Sequence, residues 1–450
     1  MGSWSDSLIH VLMSAFSQKR GMFLCGNLII RRSRGNGGLS KVRIVFVLLT
    51  VFAAAGLNCS QSWGETWPGD RWSSLADEDP AAYSALLTRP ACTNDFVPFA
   101  TAHAAEPDGF KTDGLVVARK GRIVYEYYDG IYDRWTPHPL WSASKSVTAT
   151  LLGAAIQRGA RIDGKERLSL DTLLHRVYPI SLRKDVDTKS GDAAYRRITV
   201  RDLVRMTAGF AWEESYESAV EDSTVLRMLY IDGRRNMPLF AIRQPMRPEG
   251  PGQRWSYSGG NSNLIMGVLK AAYGSRYESL PWDILFRQLG ISPKPPRKRG
   301  PVVERDASGH FVGSSYVYMT PRDMARLGHL YLRDGVWQGK RILPDGWVTK
   351  ARTFNAAQGN LAFGSEYVSY INREGLFSER TFWLNVEVSG LAVQFPNAPR
   401  DMFFAAGHYG QLILILPTQD MVIARTGHDA EYWSKIGSFV SKAIACFSGD

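Results

Sequence analysis

Ser142 and Lys145 are residue types that together can perform nucleophilic catalysis. They lie in Trp141–Ser146 (WSASKS), directly before the uncharged run Val147–Ile156. That run predicts a helix, because its Leu and Ala residues favour one and Gly159 suits the position just past its end. Residues three apart on a helix share a face, so the two side chains are expected to be neighbours. A serine hydroxyl with a lysine amine in reach is a nucleophile with its base.

The helix behind Ser142 carries apolar residues on nearly every face, which predicts that it is buried in the middle of the protein. Ser142 is then expected in its first turn, where free backbone N–H groups and the helix dipole favour negative charge. Lys145 has few routes to water there, and a desolvated lysine has a lowered pKa and can act as a base. The alternative is a helix-capping serine beside a solvated lysine.

A second Ser-x-x-Lys pattern occurs at Ser181–Lys184 (SLRK). It follows Pro179 and runs into Asp185, and no apolar helix lies behind it. We interpret it as a solvated loop and expect Ser142 to be the only nucleophile.

The first 58 residues have the features of an export leader. Lys41 and Arg43 precede the apolar run Ile44–Leu57, which contains three consecutive alanines. This order of charge, short apolar core and small residues is typical of a secretory signal, and the core is too short for a comfortable membrane span. We therefore expect residues 1–58 to be a leader and the protein to be exported, either periplasmic or extracellular. Either the leader is long, or translation starts near Leu39–Val42.

Cysteine usage is compatible with export. Cys59 is a poor match to a lipid-attachment site because Asn58 precedes it, so possible membrane attachment through the leader or Cys59 stays open. Cys25 falls within the expected leader, and only Cys92 and Cys446 certainly belong to the mature chain; an exported protein can keep a disulfide. The eight His residues are scattered without a His-Glu-x-x-His pattern, so neither a metal nor a cofactor is predicted.

The net charge of +11 does not indicate nucleic-acid binding. Residues 1–58 hold seven of the 54 Lys and Arg residues and one of the 43 Asp and Glu residues, which leaves 47 against 42. An excess this small, without a long basic stripe, is an ordinary protein surface.

Strands are predicted near both ends of the chain and helices between them. This pattern favours a mixed α/β domain with a helical insertion. The predicted parts are an N-terminal extension (59–105), an α/β part (106–160 and 306–450) and a helical subdomain (161–305). Apolar runs around turns predict hairpins over 115–127 and 411–426, and helical patterns cover 168–174, 199–206, 223–230, 261–273, 321–333 and 431–446.

Three further stretches, in order along the chain, give the sequence a resemblance to the serine β-lactamase-like hydrolases, whose first motif is Ser-x-x-Lys. Trp255–Asn261 (WSYSGGN) resembles their second motif, in which a Tyr phenol faces the serine and lysine. Gly407–Gln411 (GHYGQ), which we expect to open a strand, resembles their third motif, commonly Lys-Thr-Gly. Ser314–Lys340 resembles the helix and turn that precede it.

The resemblance covers residues 106 to 448 and is closest to the class C-like branch of β-lactamases, D-alanyl-D-alanine carboxypeptidases, esterases and 6-aminohexanoate-dimer hydrolases. It implies a β-lactamase/transpeptidase-like fold, with an antiparallel sheet flanked by helices and an all-helical subdomain. It also implies an acyl-enzyme mechanism, in which Ser142 attacks a carbonyl while Lys145 and Tyr257 move its proton. Backbone amides of Ser142 and Gln411 are then expected to form the oxyanion hole.

The chain departs from the class C pattern at both later motifs. Gly259 stands where Tyr-x-Asn has its Asn, and Asn261 can replace that amide only if the loop geometry allows it. His408 and Tyr409 replace Lys and Thr, which removes the cation and hydroxyl expected to hold a substrate carboxylate. We predict that His408, Tyr409, Gly410 and Asn261 contact substrate.

These departures favour an exported serine hydrolase acting on a carboxylic ester or small amide. One alternative is a D-alanyl-D-alanine carboxypeptidase or β-lactamase, and another is a non-catalytic ligand-binding relative. We see no Ser-Asp-Asn motif and no placed Glu base, so class A chemistry is not predicted. Nucleic-acid partners are not expected, and the oligomeric state is open.

The resemblance also implies a disulfide. In this family the two chain ends pack together on one face of the sheet, so Cys92 and Cys446 are expected to meet. Closing a loop of several hundred residues stabilises by about 4–5 kcal/mol in the chain-entropy model. The alternative is two unpaired thiols.

Overall fold

A computed structural model describes residues 67–69, 72–102, 109–183, 189–291 and 300–448. The expected leader, Cys25, Cys59 and Lys184 lie outside these residues. Residues Ser62–Asp450 form one compact unit. Among the described residues, no helix combines the length and the apolar character that crossing a membrane requires.

Apolar segments from both ends of the chain build one antiparallel sheet of seven strands. Its spatial order is β3-β4-β5-β6-β7-β1-β2, so the N-terminal hairpin pairs with the last strand. Every neighbouring pair in the sheet is antiparallel. The strands are β1 (Thr112–Arg119), β2 (Arg122–Tyr128), β3 (Leu376–Phe377), β4 (Trp383–Leu384), β5 (Phe403–Gly407), β6 (Gln411–Leu416) and β7 (Met421–Gly427).

In the described part of the chain, eight helices have seven or more residues. They are α1 (Pro80–Leu87), α2 (Ser144–Gln157), α3 (Lys189–Tyr195), α4 (Thr224–Tyr230), α5 (Gly259–Tyr273), α6 (Pro321–Leu332), α7 (Ser365–Glu374) and α8 (Tyr432–Phe447). Shorter helices are Leu75–Glu78, Val97–Ala100, Val200–Val204, Met237–Ile242 and Trp347–Ala351. Short strands outside the sheet are His138–Pro139, Val317–Met319 and Val302–Val303, which pair together, and the hairpins Arg161–Ile162 with Glu166–Arg167 and Val336–Trp337 with Lys340–Arg341.

Both faces of the sheet are covered, which explains why β5, β6 and β7 are buried along their whole length. On one face, a side chain at Gly328 of α6 would collide with Val422. On the other face, Trp433 of α8 packs against Phe404, with ring centroids 5.7 Å apart. Successive strand residues point to opposite faces, so a strand covered on both sides is apolar throughout.

Most of the predicted elements are present. Both hairpins form, and helices occupy five of the six predicted segments, with Thr199 and Thr320 capping two of them. The helix predicted over 168–174 is wrong: that segment contains a turn, Leu173 forms a single bridge to Thr199, and the last residue begins the single helical turn Leu174–Arg176. The domain boundaries at residues 105, 160 and 305 stay predictions.

The third motif opens β6, as predicted, and it also forms the turn that joins β6 to the strand β5, which was not predicted from the sequence. Gly407 ends β5 and pairs with Gln411, the first residue of β6. The strand β5 has the sequence FFAAG, and so short an apolar run has no periodicity that distinguishes a strand from a buried helix.

The disulfide between Cys92 and Cys446 is confirmed. Cys92 lies in the helical turn Ala91–Phe96, and Cys446 lies near the end of α8. Phe96 packs between Phe439 and Phe447, with centroid distances of 5.7 and 4.9 Å. The bond therefore joins the two ends of the described chain inside an aromatic cluster.

Reducing this disulfide is expected to lower the free energy of unfolding by about 2–5 kcal/mol, because the unfolded chain regains the freedom of a very long loop. Urea denaturation of the oxidised and reduced protein measures the difference. The double variant Cys92→Ala/Cys446→Ala is a second comparison. The reduced wild-type protein loses only the bond, whereas the variant also loses both sulfur atoms. Equal unfolding midpoints for oxidised and reduced protein would contradict the expected stabilisation.

Candidate active site

Ser142 lies in the turn Trp141–Ala143, which leads into α2 at Ser144. The nucleophile candidate thus precedes the helix proper instead of lying in its first α-helical turn. Trp141 has φ = 47°, a left-handed backbone conformation that is costly for a residue with a side chain. This strained residue fixes the direction in which the chain enters the Ser142 turn.

Lys145 is buried beside Ser142. Its side chain is 1% exposed, and its Nζ donates to Ser142 Oγ at 3.0 Å and to the Ser314 carbonyl oxygen at 3.3 Å. The helix α2 is buried from Ser144 to Ala155, as its composition predicts. The alternative of a solvated lysine is therefore excluded.

Tyr257 completes a cluster of three polar side chains. Its ring lies 4.7 Å from Lys145 Nζ, and its phenol shares a hydrogen bond with Ser142. Burial raises the pKa of Tyr257, the carboxylates of Glu214 and Glu374 raise it further, and the bond to Ser142 acts in the opposite direction. The phenol is therefore protonated at neutral pH and is a proton donor.

Glu214 is a member of this cluster that our reading of the sequence missed. Its Oε1 lies 3.0 Å from Lys145 Nζ, and its side chain is only 9% exposed. Its Oε2 accepts from the Trp212 indole N–H at 2.6 Å and from the backbone N–H of Gly259 at 2.7 Å. No glutamate was assigned to this site from the sequence, and the structure places one on Lys145.

Glu214 also explains the departure at Gly259. A Cβ atom on Gly259 would lie 3.2 and 3.3 Å from the two carboxylate oxygens of Glu214, which is tighter than ordinary contact. An asparagine at this position would displace the carboxylate that holds Lys145. Glycine at position 259 therefore leaves room for the carboxylate that binds Lys145.

Asn261 lies in the first turn of α5, and contact between its side chain and substrate stays a prediction. Its backbone N–H binds the capping Ser258 in the first turn of α5. Asn263 instead exchanges hydrogen bonds with Ser314: its Nδ2 donates to Ser314 Oγ at 3.3 Å, and its Oδ1 accepts from Ser314 N at 3.1 Å. Because the Ser314 carbonyl binds Lys145, Asn263 supports the lysine indirectly.

The third motif meets the Ser142 turn at its first residue. A Cβ atom on Gly407 would lie 2.0 Å from the Leu140 carbonyl oxygen and 3.1 Å from Ala143 N, so only glycine fits. The end of β5 therefore runs against the turn that carries Ser142.

The next two residues of the third motif form an aromatic stack. The His408 ring stacks on Tyr216 at 5.9 Å and meets the edge of Trp141 at 6.3 Å. Tyr409 stacks on His428 at 3.9 Å. Burial lowers the pKa of His408, His428 lowers it further and Glu217 opposes them, so the imidazole is neutral at pH 7. His408 is thus not the fixed cation of a Lys-Thr-Gly motif.

Gly410 and Gln411 pack against the last strand of the sheet, and contact of Gly410 with substrate stays a prediction. Gly410 has φ = 82°, and a Cβ atom there would lie 2.5 Å from Arg425 Nη1. The Gln411 side chain donates to the Gly427 and His408 carbonyl oxygens at 2.7 and 3.1 Å. The assignment of an oxyanion-hole amide to Gln411 stays a prediction.

A cavity of about 750 Å³ adjoins Tyr257 and His408, a size typical of small-molecule sites. Its walls come from the loop after Trp212, from the segment before Tyr257 and from α7. The lining is strongly polar, with four glutamates and three arginines. Within the described residues, no group of three or more His, Cys, Asp or Glu side chains is arranged to hold a metal ion.

Comparison with known proteins gives one family match and several distant relatives. The family described as Beta-lactamase matches residues 101–431. A 6-aminohexanoate-dimer hydrolase from Paenarthrobacter ureafaciens is 22% identical over 405 residues, which are 86% of this chain and 93% of that protein.

Solved structures share the architecture at lower identity. EstCE1, a hydrolase with promiscuous acyltransferase activity, is 17% identical with a TM-score of 0.52, and the match covers 75% of this chain and 94% of EstCE1. A penicillin-binding protein homologue from Caulobacter crescentus is 13% identical with a TM-score of 0.52, covering 82% of this chain and 98% of that one. The predicted fold is therefore confirmed.

Proposed function

This chain belongs to the beta-lactamase family of hydrolases, and from that premise we propose that it is a serine hydrolase which forms an acyl-enzyme on Ser142. The observation that carries the proposal is the 3.0 Å contact between Lys145 Nζ and Ser142 Oγ at the start of a buried helix. The carboxylate of Glu214 binds the same amine, and the phenol of Tyr257 binds the same hydroxyl.

In the acylation step, Ser142 Oγ forms a bond to the substrate carbonyl carbon while the carbonyl oxygen becomes an oxyanion. The Oγ proton passes to Lys145, which transfers one of its own protons to Glu214 through their 3.0 Å contact. When the tetrahedral intermediate collapses, the bond to the leaving alcohol or amine breaks. Tyr257, protonated because burial raises its pKa, donates the proton that the leaving group needs and regains one from Lys145.

In the deacylation step, water attacks the acyl carbon and gives its proton to the Lys145–Tyr257 pair. Ser142 Oγ leaves and takes a proton back, Glu214 returns its proton to Lys145 through their 3.0 Å contact, and the carboxylic acid is released from the restored resting site. The oxyanion of both steps needs two N–H donors. We assign one to Ser142 and one to the third motif, where β5 abuts the Ser142 turn at Gly407; Gln411 remains our candidate.

Two features support an ester or a small amide as substrate. The neutral His408 and the outward stacking of Tyr409 on His428 leave the third motif without a fixed cation for a substrate carboxylate. The adjoining cavity of about 750 Å³ suits a small molecule. The name of the Paenarthrobacter relative denotes hydrolysis of a 6-aminohexanoate dimer, which keeps a small amide beside the ester as a candidate substrate.

Short p-nitrophenyl esters are expected to be hydrolysed far better than cephalosporins or D-Ala-D-Ala peptides, because the groups that would hold a substrate carboxylate are missing. Steady-state kcat/KM for the three substrate classes measures this preference. Cephalosporin turnover within the common enzyme range of about 10⁴–10⁸ M⁻¹s⁻¹ would contradict it. The companion variant His408→Lys/Tyr409→Thr is expected to gain cephalosporin turnover relative to ester turnover.

We also propose that the protein is exported. The leader pattern supports this, and so does the buried Cys92–Cys446 bond, since disulfides persist mainly in oxidising compartments. Cell fractionation of the native host is the test, and a protein found in the cytoplasm with free thiols would contradict it.

A further inference from the structure

Arg425 is a buried cation that the proposed mechanism does not use. It lies on β7, its side chain is 0% exposed, and its guanidinium stacks over the Phe110 ring at 4.3 Å. In the described part of the chain, no carboxylate forms a salt bridge with it. Asp429 and Asp113 act on it only over longer distances, and burial lowers the pKa of Arg425 to about 10.

The N–H groups of Arg425 donate hydrogen bonds to neutral oxygen atoms of two chain segments. Nη1 donates to the carbonyl oxygens of Gly410 at 2.6 Å and Tyr409 at 3.4 Å. Nη2 donates to the Lys111 carbonyl oxygen at 2.6 Å, and Nε donates to Thr112 Oγ1 at 2.9 Å. The guanidinium thus ties the turn of the third motif to the start of β1.

Stability alone does not explain a charge at this position. Replacing buried charged groups with well-packed apolar side chains is often neutral or stabilising, and the four residues of β7 before Arg425 are apolar. The bonds instead hold a turn that is conformationally costly. Tyr409 has φ = 60° and Gly410 has φ = 82°, and a left-handed tyrosine persists only where its surroundings enforce it.

The turn that Arg425 holds is the one that faces the nucleophile. Gly407 at its start fits against Leu140 and Ala143 with no room for a side chain. His408 at its second position contacts Trp141, the residue before Ser142. A displacement of the Tyr409 and Gly410 carbonyls would therefore move the backbone amides of this turn and the His408 imidazole relative to Ser142.

From this arrangement we propose that Arg425 is a positioning residue for acyl transfer, which fixes the third motif relative to Ser142 without touching substrate. The inference rests on the proposed serine hydrolase function. It predicts a selective loss of turnover, since a misplacement of about 1 Å in a catalytic group can cost about 100-fold in rate.

The test compares Arg425→Met and Arg425→Lys with the wild-type enzyme on a p-nitrophenyl ester. Arg425→Met is expected to lower kcat by about 10- to 100-fold with KM changed by less than about threefold. Arg425→Lys keeps the charge but can bind only one of the two chain segments. Its kcat is therefore expected to lie between those of the wild-type enzyme and Arg425→Met. The rate of labelling by a fluorophosphonate is expected to fall in parallel, because phosphonylation needs the same oxyanion donors.

Arg326 provides a matched control. Arg326 is 4% exposed, and its guanidinium donates to the main-chain oxygens of Pro68, Leu289 and Gly69 at 3.1, 3.0 and 2.6 Å, all of which lie outside the third motif. Arg326→Met is expected to lower the melting temperature while the kcat of the folded enzyme stays within about twofold of wild type.

A wild-type kcat in Arg425→Lys would overturn the inference, whether or not Arg425→Met folds. The inference would also be overturned if Arg425→Met and Arg326→Met lowered the melting temperature equally and Arg425→Met lost no more kcat than Arg326→Met. Ser142→Ala, assayed alongside, separates the two proposals. If Ser142→Ala is active, the serine hydrolase assignment fails; if it is inactive while both Arg425 variants keep wild-type kcat, only the role of Arg425 fails.

Discussion

Replacing Ser142 with alanine is expected to lower kcat/KM for a p-nitrophenyl ester by about 1000-fold or more, because covalent catalysis is lost. The variant should keep its fold, since Ser142 is only partly buried and the change removes a single oxygen atom. Steady-state kinetics and the melting temperature, measured on the same preparation, check both statements.

Ser181→Ala is the matched control for this variant. Ser181 begins the second Ser-x-x-Lys pattern and lies exposed in the helical turn Ile180–Arg183, with no hydrogen bond from its hydroxyl to a base among the described residues. Its activity is expected to equal wild type. If Ser181→Ala were inactive and Ser142→Ala active, the whole site assignment would be wrong.

Lys145→Met is expected to lower kcat by about 100- to 10,000-fold, the range typical of a lost general base. The same change leaves the Glu214 carboxylate buried without its cation, which costs about 3–5 kcal/mol of unfolding free energy when a buried pair is broken. Ester hydrolysis and urea denaturation measure the two effects separately.

The double variant Lys145→Met/Glu214→Gln tells these effects apart. Removing both charges is expected to restore much of the stability, because a neutral amide can still accept from Trp212 and Gly259. Activity is expected to stay low, since no base is left beside Ser142. Recovery of kcat together with stability would show that Lys145 serves the fold and not the reaction.

The nucleophile and its lysine could be predicted because their relation is local. Three residues separate Ser142 from Lys145, helix geometry makes them neighbours, and an uncharged run after them indicates burial. Tyr257 followed from the order of motifs. The sheet was predictable at its two hairpins, where turn residues separate apolar runs.

Glu214 could not be found in the same way. It lies 69 positions from Lys145, in an acidic stretch shared with Glu213 and Glu217, and nothing local sets one carboxylate apart from its neighbours. In the sequence, Gly259 indicated only that the asparagine of the second motif is absent. Only the folded structure shows that the missing side chain makes room for Glu214.

The role of Asn263 could not be predicted, because it depends on the rotation of α5, which sequence spacing does not give. The packing of α5 directs Asn263 toward Ser314 and leaves Asn261 in the capped first turn. Arg425, by contrast, carried a usable signal. A single charge inside the apolar segment Met421–Gly427 indicates a buried cation with a specific task.

The central claim, an acyl-enzyme mechanism on Ser142, is tested most directly by covalent labelling. The purified protein is treated with a fluorophosphonate, weighed intact and mapped by peptide mass spectrometry, and Ser142→Ala and Ser181→Ala are treated in parallel. The mechanism predicts one adduct per chain on the peptide that contains Ser142, at equal rates in wild type and Ser181→Ala, and none in Ser142→Ala. Labelling of Ser142→Ala at the wild-type rate, or an adduct on a different peptide, would contradict it.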